Sequence, residues 1–280
     1  MSTIAALYVA LAERVAARLG SPRLRALHLP STPDAAVEDP RFCAAELEDG
    51  SIGFSFVLGD AVEPLLRAHR AAGGFGGVEA AALARGFAAG DPGGKALGFA
   101  AINALSQSLF ARAHWVPAAA GSSLGAIEPR CGEHVGMIGL FPPLVADVKE
   151  AGARLTVLEL RPELAGEHAD YRVTLDPAAL ATCDQVISTC TVMLNNTLDA
   201  VLAACRRARH FAIVGPTAGC LPDPLFARGV DSVGGRRVLD AAGFLRAFRS
   251  GEKWGSCAGK YVIARQDYPG LDWLLERAGA

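Results

Sequence analysis

The stretch "HVGMIGLFPPLV" (residues 134–145) decides the fold. "HVGMIGL" reads as a buried strand, and the prolines at 142 and 143 open a helical pattern that runs through "PPLVADVKEAG". The same unit recurs downstream. "RLTVLEL" (154–160) reads as a strand, and "DQVISTC" (184–190) as another, followed by the helix "NTLDAVLAACRRA" (196–208). "HFAIVGP" (210–216) is a third apolar run of this kind. "GVDSVGGRRV" carries a short strand, "DAAGFLRAFRSG" a helix, and "KYVIARQ" an edge strand. Short apolar runs alternating with helices predict an open parallel sheet with crossover helices.

Such a sheet binds ligands beyond the carboxyl ends of its strands, where strand order reverses. A dinucleotide site there needs G-x-G-x-x-G. Counted from Gly136, the second and third glycine places hold Ile138 and Phe141; counted from Gly139 they hold Phe141 and Leu144. Pro142 and Pro143 also withdraw two N–H donors from the helix start. Glu159 stands twenty residues after Gly139, where an acid holds a ribose diol, so a nucleoside without a pyrophosphate site stays open beside a plain strand-end acid. "GDPGGK" fails as a phosphate loop, because Ala89 replaces the first glycine and Ala96 the hydroxyl residue.

Residues 1–115 read differently. Ile4, Leu7, Leu11, Val15 and Leu19 form one helical face closed by Gly20. "LRALHLP" and "SIGFSFVLG" read as strands and "STPDAAVEDP" as a loop. "AVEPLLRAHRAA", "VEAAALARGFAA" and "ALGFAAINALSQSLFARA" read as helices. This is a small α+β unit. The Ala-, Gly- and Pro-rich stretch 115–133 reads as a connection to a second domain, residues 116–280.

The chain has 280 residues, 51% of them hydrophobic, with 27 basic against 29 acidic residues. Balanced charge without a basic block argues against nucleic acid as the main partner. No charge-free run reaches bilayer length, and the N-terminal residues lack a signal-peptide pattern, so a cytoplasmic protein is expected. Seven cysteines without a C-x-x-C pair fit reduced thiols better than disulfides or a structural zinc site. Cys131 and His134 form only an isolated pair, and His134 opens a strand. Cys190 and Cys220 both follow buried strands, so they are the candidate ligands for a soft transition metal. Cys183 and Cys205 read as packing residues. Neither a nucleophile elbow nor H-E-x-x-H is present. Asn103 and Gln107 share a helical face. Asn196 reads as a helix N-cap with Asp199 in the first turn.

The segments "GFAAINALSQ", "VGMIGLFPPLV", "LTVLELRP", "NNTLDAVL" and "IVGPTAGCLPDPLFARGVDSVGG" occur in order. Together they resemble the heavy-metal chelation family. The resemblance implies an enolase N-terminal-like α+β domain joined to a Rossmann-like α/β domain. It further implies a metal or metal chelate handled at the cleft between them. The family motifs map onto Asn103, Gly136, Gly139, Phe141, Pro142, Glu159, Thr191, Asn195, Thr197, Gly215 and Pro216. The sequence departs from the family pattern at Cys190 and Cys220. The competing reading is an enzyme on the same scaffold, acting on a nucleoside- or carboxylate-containing small molecule. Self-association is left open.

The blocked loop after Gly139 makes a definite expectation. Calorimetric titration with NAD or NADP should show no binding, and micromolar affinity for either would contradict the reading.

Overall fold

The structure is a computed structural model that describes residues 2–29, 42–61, 64, 65, 67, 69, 74–89, 91–121 and 124–279. The loop expected at 31–40 and most of the helix expected at 61–72 lie outside the described residues.

Helix α1 (Ile4–Leu19) starts at Thr3, whose hydroxyl accepts from the Ala6 N–H, and ends at left-handed Gly20. Strands β1 (Leu24–His28), β2 (Phe42–Leu47) and β3 (Ile52–Phe56) form an antiparallel sheet in that order. The β2 segment carries little strand signal of its own: "FCAAEL" holds two alanines and a glutamate, and its six residues are all buried, so no alternation marks it. Helices α2 (Ala80–Ala84) and α3 (Pro92–Arg112) follow, the latter capped by Asp91 with proline at its start.

Counting only its parallel strands, the large sheet has the Rossmann order 3-2-1-4-5-6. These are β8 (Arg172–Thr174), β6 (Arg154–Leu158), β5 (His134–Ile138), β9 (Gln185–Thr189), β10 (His210–Val214) and β11 (Ser232–Val238). Order reverses between β5 and β9, which fixes the switch point. Antiparallel strands extend both sides. β7 (Gly166–Glu167) joins β8, while β12 (Ala258–Ala264) joins β11 and is covered in turn by β4 (Ala118–Ala119). The predicted edge strand is therefore one place in from the edge. The stretch 115–133, expected as a connection, supplies the edge strand β4 and buries Leu124 and Ile127 against β5 and β10 residues. Helices α4 (Pro142–Glu150), α5 (Leu198–Ala204), α6 (Asp223–Phe226), α7 (Ala241–Ser250) and α8 (Leu271–Arg277) accompany the large sheet, with short 3-10 segments between elements.

Helix α3 is apolar or small-residued around nearly its whole circumference, and seventeen of its residues are buried. It lies between the small sheet and the large one. One hydrophobic cluster runs from Tyr8, Leu11 and Val15 of α1 through Phe99, Ile102 and Leu109 to Ile138, Val186, Ile213 and Val233 of the large sheet. Two glycines permit this closeness. A Cβ at Gly53 would strike the backbone of Ala100, Asn103 and Ala104, and one at Gly98 the backbone of Phe87 and Gly86.

Gly53→Ala should therefore destabilise the protein by about 3 kcal/mol or more, because rigid backbone must move. Gly59→Ala, with open space around its Cβ, should change stability by no more than about 0.5 kcal/mol. Urea unfolding of both variants checks this; equal midpoints would contradict it.

Candidate functional site

The chain after β10, "GPTAGCLP" (215–222), passes over the middle of α3 and is held there by side chains one helical turn apart. The buried Asn103 amide donates to the carbonyls of Phe54 at 2.8 Å and Thr217 at 2.7 Å, linking β3 to this loop. Gln107 donates to the Gly219 carbonyl at 2.9 Å and the Tyr261 hydroxyl at 3.2 Å. The Ser106 hydroxyl accepts from the Leu221 N–H, and the Thr217 hydroxyl from the Phe56 N–H, each at 3.0 Å. Tyr8 of α1 donates to the Leu221 carbonyl at 3.1 Å. Asn103 is thus a clasp between the two sheets. Its Oδ1 and the Oε1 of Gln107 are buried acceptors with no donor among the described residues.

At the switch point, the loop after β5 spends its own donors. Gly139 needs its left-handed φ of +78°, and a Cβ there would sit 3.1 Å from Thr189 Cγ2. The Leu140 N–H donates to Glu159 Oε2 at 3.1 Å and the Phe141 N–H to Met137 Sδ at 3.4 Å. Pro142 and Pro143 have no N–H, and the Leu144 N–H turns back to the Phe141 carbonyl at 2.9 Å. The start of α4 therefore has no donor left in its first turn for a pyrophosphate. Glu159 stands at the end of β6, as a diol-binding acid would. Both its oxygens hold backbone instead, Oε1 accepting from the Leu160 N–H at 2.8 Å.

Beside this loop, at the carboxyl edge of β5, β10 and β11, lies a cavity of about 160 Å³. Phe141, Pro143 and Leu144 wall one side, the glycines at 215, 234 and 235 with Pro216 form a floor with little side chain, and Arg236 and Lys260 stand at the lining as cations. Tyr261, also in the lining, is hydrogen-bonded to Gln107, so the clasp backs directly onto this cavity. Arg236 lies over the Trp254 ring at 5.8 Å and donates to the Gly255 carbonyl at 3.2 Å; burial lowers its guanidinium pKa. Both cations sit on the last strands of the sheet, where sequence alone offered no motif. Knowledge of the strand order would have pointed to them.

The expected site residues thus fall into separate groups. Phe141, Gly215 and Pro216 line the cavity, while Gly139 and Glu159 shape the loop beside it. Asn103 is one residue behind. Thr191 and Asn195 belong to the turn after β9, where Thr191 meets the Thr189 hydroxyl at 3.1 Å and Asn195 accepts from Thr197 at 2.7 Å. The expected N-cap at Asn196 is corrected. Asn196 is exposed at φ +61° and accepts from Lys95 Nζ at 2.9 Å, while Asn195 makes the local turn.

Cys190 and Cys220 are fully buried neighbours, close enough that charge on one opposes charge on the other. Burial pushes the Cys220 thiol up to about 12 and raises Cys190 as well, and the Tyr8 hydroxyl lies 3.1 Å from Cys220 Sγ. Among the described residues no three His, Cys, Asp or Glu side chains gather as metal ligands. Two protonated core thiols do not fit a resident bare cation, which needs deprotonated ligands and a fuller shell. Cys131 and His134 do not pair either: Cys131 is exposed, and His134 is buried between Thr156 and Thr182.

A thiol reagent at pH 8 should accordingly modify only exposed Cys131 and half-buried Cys257 of the folded chain, with the five buried thiols reacting on unfolding. Rapid native reaction of Cys190 or Cys220, read by mass spectrometry, would contradict their placement.

With this geometry in view, comparisons with known proteins identify the family. A family described as "Putative heavy-metal chelation" matches residues 124–265, and a second family with the same description matches residues 29–106. None of the curated proteins matches the chain. Among solved structures, a protein of unknown function from Desulfitobacterium hafniense is similar at 23% identity and a TM-score of 0.66. That match covers 91% of this chain and 98% of the other. A protein of unknown function from Pyrococcus horikoshii is similar at 20% identity and a TM-score of 0.65, covering 92% and 99%. These two likenesses establish a shared fold over nearly the whole chain. The match over residues 124–265 spans half the chain, and the protein belongs to the heavy-metal chelation family.

Proposed function

We propose that the protein binds a small anionic metal chelator, free or metal-loaded, through one of its carboxylate arms in the cavity beside the switch point. The observation that carries this reading is the pairing of Arg236 and Lys260 with an apolar, glycine-floored cavity at the carboxyl edge of a Rossmann sheet. Guanidinium and ammonium groups repel a bare cation and attract a carboxylate. Backbone at Gly215, with open space where a Cβ would stand, admits close approach. The volume is below the roughly 300–1,000 Å³ of most ligand pockets, so it takes one arm of the ligand and leaves the rest outside. The metal then arrives with its own ligands, which reconciles the family description with a donor set unsuited to a naked ion.

Asn103 acts in this reading by holding the loop after β10 that frames the cavity, while Thr191 and Asn195 hold the turn after β9, outside it. Seven free thiols suit a reducing compartment such as the cytoplasm. Among the described residues no helix is long and apolar enough to cross a membrane.

Equilibrium dialysis with citrate, zinc citrate and Zn²⁺ alone tests the reading. Citrate and zinc citrate should bind, and Lys260→Met should weaken both by about tenfold or more, the loss of one charge-assisted contact. Stoichiometric uptake of Zn²⁺ alone, abolished by Cys190→Ser with Cys220→Ser but not by Cys183→Ser with Cys205→Ser, would overturn it.

A further inference from the structure

A second hollow, of about 460 Å³, lies at the opposite, amino-terminal end of the parallel strands. Its origin is topological. The crossover from β8 to β9 is made by a six-residue 3-10 segment, Pro177–Thr182, rather than a long helix. The face of β6 and β8 is left partly open there. Parallel register places four side chains on that face: His134 opposite Arg154, and Thr156 opposite Arg172.

The hollow is lined by two arginines and two carboxylates, and Lys149, outside the lining, takes up one of those carboxylates. Asp170 is paired with Lys149 at 2.7 Å and Glu167 with Arg172 at 3.4 Å. Among the described residues no carboxylate pairs with Arg154, whose guanidinium is left as a surplus cation. His134 adds no charge: burial lowers its pKa, and so does neighbouring Arg154, so its ring is neutral at pH 7. The ring lies 2.8 Å from the Thr156 hydroxyl and 3.1 Å from that of Thr182, groups that rotate to donate or accept. At the rim, the His168 and Tyr171 rings stack in parallel, 4.7 Å apart at an interplanar angle of 7°. They present a flat π surface beside the surplus cation.

We infer that this hollow is a second ligand site, taking a small organic oxyanion, phosphate or carboxylate, that carries a planar ring. Arg154 binds the oxyanion, the threonine that accepts from the neutral His134 ring donates its own hydroxyl proton to that oxyanion, and the ligand's ring lies against the His168–Tyr171 pair. The site is separated from the switch-point cavity by the length of the strands, and the two share no lining residue. The inference does not rest on the chelator reading.

The test is calorimetric titration of the full chain with phenyl phosphate, benzoate and inorganic phosphate, alongside the ring-proton resonances of His168 and Tyr171. Phenyl phosphate or benzoate should bind saturably and shift those resonances; which of the two binds tighter names the oxyanion. Arg154→Met should weaken binding by about tenfold or more, and Arg154→Lys should restore part of it. Ala179→Trp, which fills the hollow while keeping Arg154, should also abolish binding. Tyr171→Leu should weaken the ring-bearing probes but not inorganic phosphate. Lys260→Met should leave all of them unchanged. No saturable binding of either ring-bearing probe, unchanged affinity in Arg154→Met, or loss with Lys260→Met alone would overturn the assignment. Thermal melts matching wild type keep a loss in Arg154→Met from being read as unfolding.

Discussion

The attachment of the 217–221 loop to helix α3 is the contact on which the rest depends. Asn103 bonds at once to a carbonyl of the small sheet and a carbonyl of the loop that leaves β10 of the large one, and Ser106 and Gln107 continue the hold one turn later. A net gain of about 1 kcal/mol per buried hydrogen bond makes this clasp a strong local constraint. Its larger effect is geometric. The loop after β10 turns at Gly215, which bonds back to Gly234 of β11, so fixing Thr217 and Gly219 also fixes the floor of the cavity. The glycine at 53 is the condition for it, since only a bare backbone lets β3 lie directly on α3.

The same economy explains why a Rossmann strand order here does not make a dinucleotide site. That architecture supplies a helix N-terminus at the switch point, and in this chain the terminus is filled from within. Two prolines remove donors, and Glu159, Met137 and Phe141 accept the remaining ones. In the proposed reading recognition moves sideways, to the extension of β11 and β12 past the parallel strands, where Arg236 and Lys260 stand. The fold sets where ligands gather, and the side chains at that edge set their charge.

Much of this was legible in the sequence because the signals were local. The buried runs at 134–140, 154–160, 184–190 and 210–216 carry their strands in their composition, and Gly139 and Pro142 mark the turn that follows. The missing glycines in that turn excluded a pyrophosphate cradle, and the structure supplies the reason. The unread parts depend on distant partners. "FCAAEL" is a strand only because α3 and two neighbours bury it, and Ala118–Ala119 is one only because β12 offers an edge. The sequence marks Asn103 as a polar residue on an apolar helix and a candidate ligand-binding group, but its partners here are carbonyls 49 and 114 residues away, beyond any spacing rule. Arg236 and Lys260 are ordinary basic residues until the strand order brings them beside Gly215.

Amide hydrogen exchange with and without citrate tests the central claim most directly, because it reports the place of binding as well as its occurrence. The account predicts added protection confined to the loop after β5, the turn at 215–219 and the facing part of β11 and β12. Protection centred instead on 186–194, around Cys190 and the turn after β9, would contradict it.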